Sequence, residues 1–360
     1  QENAAILSTF LAAQRITITL ENLMLPWFQN GQFPLYLAPM AGVTDLVFRR
    51  ICKELGADVM VTEFVSAEGI IQADERTRVY TEFEDGQRPV GVQLFGSEGD
   101  RMAEASRKII DWKQPDFIDI NFGCPVKKVV SKNGGSSLLR DCPLLADVAS
   151  SIAKGVGDQV PVTAKIRIGW DTDSVNAPEV CRILEDCGMA AIAIHGRTRA
   201  QGYSGEADWD VIHECAQQVK IPVIGNGDIG SGEDVERRKR ETAVSGVMIG
   251  RAAMQHPWVF QEAKHYLTHG EQPAPVSPEE RWSLILRHAK MLLEWSKFPT
   301  ERYAIQAFRS RLMAYSRGLP GGKKLRIRFS TVESYTELEQ VAGEYLENLS
   351  HRGEPLVFAG

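Results

Sequence analysis

A (β/α)8 barrel followed by a small all-helical C-terminal domain is the fold that the sequence predicts, on three observations. Eight short apolar runs recur between Leu35 and Ile249, most of them separated by a segment with helical periodicity. The runs are apolar throughout rather than alternating, as expected for parallel strands covered on their outer face. Beyond Pro273, Pro275 and Pro278 the strand-like runs stop and only helical patterns remain. An open doubly wound sheet is the alternative. It needs a Gly-rich turn after the first strand, and Ala38-Pro39-Met40-Ala41-Gly42 lacks the G-x-G-x-x-G pattern.

Residues 1–34 read as an extension in which Ile16 to Leu20 alternates like a strand without an evident partner. The barrel is expected over 35–270. Its strands are Leu35 to Ala38, Asp58 to Thr62, Arg88 to Phe95, Phe117 to Asn121, Val160 to Ile168, Ala190 to His195, Ile221 to Gly225 and Gly246 to Ile249. Helices are expected at Thr44 to Leu55, Glu98 to Trp112, Pro143 to Gly155, Ala177 to Cys187, Trp209 to Val219 and Glu233 to Glu241. The helical domain, 278–350, holds Glu279 to Trp295, Thr300 to Ser316 and Tyr335 to Leu349. Ile285, Ala289, Leu292 and Leu293 line one apolar face there, and Ala304, Ala307, Phe308 and Leu312 another.

Composition narrows the class. Hydrophobic content of 43% and charged content of 24% over 360 residues are those of a soluble globular enzyme. A net charge of −6 argues against a generally nucleic-acid-coated surface but not against a local basic face. The six cysteines form no C-x-x-C pair, so neither an iron–sulfur nor a zinc signature is present and no metal is expected. Reduced thiols, with no apolar run long enough for a membrane and no secretory signal pattern, point to a cytoplasmic protein, expected to be monomeric.

The strand ends carry the chemistry. Gln93, Asn121, Lys165, His195 and Asn226 stand at or near the ends of successive strands, where barrel interiors normally hold Val, Ile or Leu. A buried neutral amide without a partner costs roughly 2–7 kcal/mol. One such residue is a satisfied core polar; five at equivalent heights imply a polar ligand at the mouth. Gly225-Asn226-Gly227-Asp228 and Gly250-Arg251-Ala252 follow the seventh and eighth strands, the usual phosphate site of such barrels. Taken singly, each loop is an ordinary βα turn; as a pair at those two strand ends they indicate phosphate. Phosphate there, with amides and a lysine at strands three to five, suits flavin mononucleotide, and a cation such as Lys165 near N1 would stabilise the reduced ring.

Cys124 lies on the loop after the fourth strand, between Gly123 and Pro125. A single cysteine is usually a small buried hydrophobe. At a mouth loop the balance reverses, and a thiol of pKa near about 8.5 can act as a general acid. Arg167 shares a strand face with Lys165, and Arg197 and Arg199 follow His195. Lys127, Lys128, Lys132 and Arg140 follow Cys124, and the whole set suggests a polyanionic substrate. From Arg302 to Arg328 the helical domain carries eight Lys or Arg and no acid, Arg326 and Arg328 among them, a local footprint for nucleic acid. A solvated helix face with core aromatics is the plain alternative, and for Tyr303, Phe308, Tyr315 and Phe329 it is the better one.

These motifs together resemble the tRNA-dihydrouridine synthases. The resemblance rests on Ala38-Pro39-Met40-Ala41-Gly42-Val43-Thr44-Asp45, Val92-Gln93-Leu94-Phe95-Gly96 and Asn121-Phe122-Gly123-Cys124-Pro125. It rests equally on Ala164-Lys165-Ile166-Arg167, His195-Gly196-Arg197-Thr198 and Gly225-Asn226-Gly227-Asp228-Ile229. Cys-Pro-Val-Lys-Lys and Arg-Ala-Gln-Gly-Tyr-Ser-Gly are similar to the bacterial B-type branch, and the likeness runs from about residue 35 to 330. It implies an FMN barrel and a helical tRNA-binding domain. NADPH would reduce the flavin, N5 would pass hydride to C6 of a uridine, and Cys124 would protonate C5. By the same resemblance the FMN contacts fall on Pro39, Met40, Ala41, Gln93, Lys165, His195, Asn226, Gly227, Asp228, Gly250 and Arg251. Substrate contacts fall on Asn121, Arg167, Arg197, Arg326 and Arg328. Two departures stand out: Arg309-Ser310-Arg311 replaces an expected Lys and His beside a Trp-Tyr pair, and residues 1–34 exceed the usual start. A flavoenzyme for free pyrimidines, and an RNA-binding protein without chemistry, are the alternatives. The basic run argues against the first, and the presence of Cys124 and Lys165 against the second.

Overall fold

The computed structural model describes residues 25–29, 31–126, 134–295 and 298–350. The expected strand at Ile16 to Leu20, and Lys127, Lys128 and Lys132, lie outside them. The chain divides into two compact units. One comprises Gln1–Leu46, Ala57–Ile229 and Val235–Gly250; the other comprises Val47–Gly56, Gly230–Asp234 and Arg251–Gly360.

The first unit is a nearly closed parallel barrel. Its strands are β1 (Leu35–Leu37), β2 (Met60–Val61), β3 (Val65–Ser66), β4 (Val90–Phe95), β5 (Phe117–Asn121), β6 (Val162–Arg167), β7 (Ala191–His195), β8 (Val223–Asn226) and β9 (Gly246–Ile249). Neighbours run β1-β9-β8-β7-β6-β5-β4-β2, and a parallel bridge between Tyr36 and Val59 brings β1 beside β2. All eight expected strands are present. The second stave differs from expectation: β2 and β3 both pair with β4, and the stave is broken between them. Within that break the Thr62 hydroxyl accepts the Gln93 N–H at 3.2 Å, joining the two strands through a side chain instead.

Register and side-chain period decide what lines the interior. Gly91 pairs with Phe117, and a Cβ on Gly91 would lie 2.2 Å from the Phe117 ring, so both face inward. Every second residue from there shares that face: Gln93 on β4, Asp119 and Asn121 on β5, Thr163, Lys165 and Arg167 on β6, then Ala191, Ala193 and His195 on β7. The lower interior is apolar, with Tyr36, Val59, Val61, Phe117, Ala191, Ile224 and Met248 packed together. Leu25, Trp27 and Phe28 pack against this cluster, so the end of the extension seals the barrel floor. Trp27 donates its indole N–H to the Tyr36 hydroxyl at 2.5 Å.

Helices α1 (Leu46–Glu54), α4 (Gly99–Lys113), α5 (Cys142–Val156), α6 (Ala177–Asp186), α7 (Trp209–Gln218) and α8 (Gly232–Glu241) fall where periodicity places them. The short α2 (Ala67–Ile71) and α3 (Glu75–Val79), together with α9 (Arg251–Gln255) and α10 (Val259–His269), are additions to the expected set.

The second unit is helical. Besides α9 and α10 it contains α11 (Pro278–Glu294), α12 (Glu301–Tyr315), α13 (Gly322–Phe329) and α14 (Tyr335–Ser350); α13 was not expected. Ser277 and Glu280 form a capping box that opens α11. Trp282 of α11 meets Phe329 and Tyr345 at 5.7 and 5.6 Å between ring centroids. His288 is buried among Phe48, Phe308 and Tyr315, and its Nδ1 pairs with the Tyr315 hydroxyl at 2.9 Å.

Candidate active site

A one-directional hydrogen-bond chain climbs the barrel interior to the Cys124 loop. It starts at Asp119, a carboxylate enclosed in the barrel that accepts from the Thr163 hydroxyl at 2.5 Å and from Gln93 Nε2 at 2.6 Å. That fixes the Gln93 amide with its oxygen toward Asn121, whose Nδ2 donates to it at 2.8 Å. Asn121 is thereby left with its oxygen toward the loop, where it accepts the backbone N–H of Gly123 at 3.1 Å and of Cys124 at 2.8 Å. Reversing any one amide would set donor against donor. Burial pushes the Asp119 carboxyl above its usual range, and the bonds from Thr163 and Gln93, with the Lys165 charge, oppose that push.

Cys124 is 6% exposed, not the open thiol its loop position suggests. Its carbonyl accepts from both the Ser136 hydroxyl, at 2.9 Å, and the Ser136 N–H, at 3.2 Å. Burial raises the thiol pKa; a backbone bond at Val126 and the charges of Arg167 and Lys165 work against the rise. The thiol therefore stays protonated through neutral pH.

Lys165 donates to Asn226 Oδ1 at 3.2 Å, and Asn226 donates in turn to the Met248 carbonyl at 2.7 Å. Burial, reinforced by the Arg167 charge, lowers the Lys165 pKa to about 8. Arg167 is enclosed and ties two mouth loops together. Its Nε donates to the Gly123 carbonyl at 3.0 Å, and its Nη1 to the carbonyls of Thr198 and Gly202 at 2.8 and 2.9 Å. Tyr203, 61% exposed, lies on the same loop, with its ring 5.8 Å from the Arg167 guanidinium and 6.1 Å from the His195 ring.

Other expected contacts have different surroundings. Arg197 is 2% exposed. Its Nη2 bonds both Asp228 oxygens at 2.8 and 2.7 Å, while Nε and Nη2 reach the carbonyls of Ser204 and Gly205. Arg197 and Asp228 are thus a pair that fastens the β7 loop to the β8 loop, with Arg197 Nη1 3.4 Å from His195 Nε2. Gly225 and Gly227 serve packing: a Cβ on Gly225 would lie 2.3 Å from the Trp209 ring, and one on Gly227 2.5 Å from Ala207. Trp209 donates to the Gly227 carbonyl at 3.1 Å. After β1, Pro39 and Met40 are half-buried and Ala41 exposed; Met40 N–H is held by the Thr44 hydroxyl at 3.0 Å. Gly250 is half-buried at the end of β9 beside Ala38 and Met40. Arg251, Arg326 and Arg328 belong to the other unit, all exposed.

Five residues join the site to which motif reading assigns no role: Thr62, Asp119, Ser136, Thr163 and Tyr203. Asp119 and Thr163 stand two residues before Asn121 and Lys165, so the strand period alone could have found them. Tyr203 lies in the Arg-Ala-Gln-Gly-Tyr-Ser-Gly stretch that carries the resemblance, whereas nothing in the sequence marks Thr62 or Ser136. Among the described residues no cluster of His, Cys, Asp or Glu could hold a metal ion.

The assembled geometry is a protonated thiol, a lysine of lowered pKa and an enclosed arginine on adjacent staves of a parallel barrel. A family model described as dihydrouridine synthase (Dus) matches residues 36–350. The tRNA-dihydrouridine synthase B of Pseudomonas aeruginosa is 40% identical over 300 residues, 83% of this chain and 88% of that protein. That of Pseudomonas putida is 41% identical over 301 residues, 83% of this chain and 87% of that protein. A probable tRNA-dihydrouridine synthase of Aquifex aeolicus is 36% identical over 312 residues, 86% of this chain and 95% of that protein. With barrel and helical unit both inside the matched span, the chain belongs to the dihydrouridine synthase family.

Proposed function

We propose that this chain is a tRNA-dihydrouridine synthase, a cytoplasmic monomer that reduces the C5–C6 double bond of particular uridines in tRNA. The relatives' names supply the substrate. The observation that carries the reading is Cys124, a thiol of raised pKa on a strand-end loop, within the electrostatic reach of Arg167 and Lys165.

The donor set fits FMN. Lys165 is half-buried, and its one hydrogen-bond partner among the described residues is Asn226, which leaves N–H groups for an anionic ring edge. Its neighbours on β7 are Ala191 and Ala193, which add no bulk beside it. In this reading Lys165 and His195 hold the ring, with Asn226 orienting Lys165 and Gln93 orienting Asn121 beside it. Pro39, Met40, Ala41, Gly227 and Gly250 form the walls and the phosphate end. FMN, when bound and reduced by NADPH, supplies the hydride that reaches C6.

The chain's own residues do the rest. Cys124 Sγ gives its proton to C5, which completes the addition of H2 across the double bond. Raised pKa suits a proton donor rather than a thiolate nucleophile. Asn121 holds the loop on which that thiol sits, and its remaining Nδ2 hydrogen can meet a uracil carbonyl. Arg167 has Nη2 left for the same purpose once its other donors have bound Gly123, Thr198 and Gly202. A uridine must leave its stack to arrive there, at a cost of a few kcal/mol.

Purified protein is expected to be yellow, with flavin released on denaturation that behaves as FMN. Cys124→Ala should keep that spectrum yet form dihydrouridine in unmodified tRNA at least about a hundredfold more slowly. Wild-type rates in that variant would remove Cys124 from the mechanism, and colourless protein that takes up no flavin would remove the cofactor.

A further inference from the structure

Three loops of the barrel mouth meet at Trp170. The guanidinium of Arg140 lies 3.9 Å from the Trp170 ring centroid, and that of Arg199 lies 4.5 Å from it. Each residue comes from a loop that also serves the active site. Arg140 ends the turn Gly135–Arg140, whose Ser136 holds the Cys124 carbonyl. Trp170 follows Arg167 by three residues, and Arg199 follows Thr198, whose carbonyl binds Arg167.

The platform is rigid. Gly169 and Val175 form an antiparallel bridge that folds the Trp170 loop back on itself. Arg199 N–H donates to the Gly169 carbonyl at 2.9 Å, and Ala200 N–H to the Trp170 carbonyl at 2.8 Å. The backbone of Trp170 is thus pinned from both directions before any ligand arrives.

Its two cations differ from the arginines that are held in ion pairs. Arg88, Arg101, Arg240, Arg302 and Arg328 each meet a carboxylate within 3.3 Å. Arg140 and Arg199 have no ion pair among the described residues. The nearest acids along the chain are engaged elsewhere: Asp141 caps α5 through Leu144 N–H at 3.0 Å, and Asp171 accepts from Asp173 N–H and the Ser174 hydroxyl. Two like charges on one indole repel each other, and the ring compensates only in part. With both guanidiniums over the indole, their N–H groups are left for an anion that presents two oxygens.

We propose that Arg140, Trp170 and Arg199 form a clamp for a backbone phosphate of the RNA substrate at the rim of the barrel mouth. The proposal rests on the reading of the chain as an enzyme of tRNA. A phosphate held there would anchor the strand close to the nucleotide that enters the site, through contacts that carry no base sequence.

The test is the binding of unmodified tRNA measured across about 0.05–0.3 M KCl. Relative to wild type, Arg140→Ala/Arg199→Ala should bind about tenfold more weakly, and the slope of log affinity against log salt should fall by about 1 to 2. Arg140→Lys/Arg199→Lys should keep most of the slope but lose affinity, because an ammonium cannot stack or chelate as the planar fork does. Trp170→Leu should weaken binding without any change in formal charge. A double alanine variant with wild-type affinity and slope overturns the clamp. Wild-type protein with no affinity for tRNA overturns the underlying reading as well, so the two failures are distinct. Should the double variant lose its thermal transition, Arg140→Gln and Arg199→Gln decide singly: a slope lower by about 1 in each supports the clamp, and unaltered slopes refute it.

Discussion

Lys165 is placed against its own solvation, and that cost has a pH signature. Its pKa falls from the usual 10.5 to about 8, chiefly through burial and next through the Arg167 charge. Below pH 8 the lysine is charged in the folded and unfolded states alike, and folding carries the full cost of burying it. Between about 8 and 10.5 the unfolded chain binds the extra proton, so stability rises with pH; above that range the cost is gone. Lys165→Met should therefore stabilise flavin-free protein at pH 7, by roughly 1 kcal/mol once the lost donor to Asn226 is set against the gain. The advantage should shrink as pH rises from about 8 and reverse toward pH 10.5, where only the lost bond to Asn226 remains. Urea unfolding of both proteins at several pH values measures it, and parallel pH dependences would show that Lys165 is not depressed. The same substitution should impair catalysis, since an ammonium at this position has no structural reason to be there. Cys124 follows the same logic with opposite sign: burial there favours the neutral form, which is the proton-bearing one.

At the scale of the element, a glycine on β8 shows how closely strand and helix must approach. Gly225 reads as part of an anion-binding loop in the sequence, yet a side chain there would meet the Trp209 ring of α7 at 2.3 Å. Gly225→Ala should destabilise the barrel by about 1–3 kcal/mol through overpacking. Adding Trp209→Leu should recover part of the loss, a non-additivity that denaturant unfolding of the double variant can measure. The strands were legible because a parallel stave covered on its outer face must be apolar, and Phe117 to Asn121 and Gly246 to Ile249 coincide with prediction residue for residue. The five-residue helices α2, α3 and α9 were not, since fewer than two turns cannot display a period. In α13, Gly321 and Gly322 at the start and a run of basic residues masked a helix whose buried residues are Gly322, Leu325 and Phe329. Of the site, strand-end positions such as Lys165 and Asn226 were readable from spacing. The Arg197–Asp228 pair was not, because partners 31 residues apart meet only through loop geometry.

Charge across the whole molecule separates along the same lines. The chain is acidic, but Arg302 to Arg328 contains eight basic residues and no acid. In three dimensions that run is partly neutralised from outside. Arg302 and Arg309 meet Glu333 at 2.8 and 3.7 Å, and Arg328 meets Glu344 at 2.8 Å. Arg311 is buried. Arg317, Lys323, Lys324 and Arg326 are exposed and have no ion pair among the described residues. Arg317 and Arg326 also line a cavity of about 430 Å³ with Met254, Ser310, Met313 and Ala314. The electrostatic footprint is therefore narrower than the sequence run, and it moves from Arg328 toward Arg317. Exposed pairs such as Arg328 with Glu344 contribute little to stability, but they offset the charge an approaching polyanion meets. Arg317→Glu/Arg326→Glu should lower tRNA affinity by about tenfold or more and reduce the salt slope by about 2. Arg302→Glu/Arg328→Glu, an equal change in formal charge, should do less, because those guanidiniums already face carboxylates. Equal losses in the two variants, read by salt-dependent binding of unmodified tRNA, would mean that net charge rather than its pairing governs the contact.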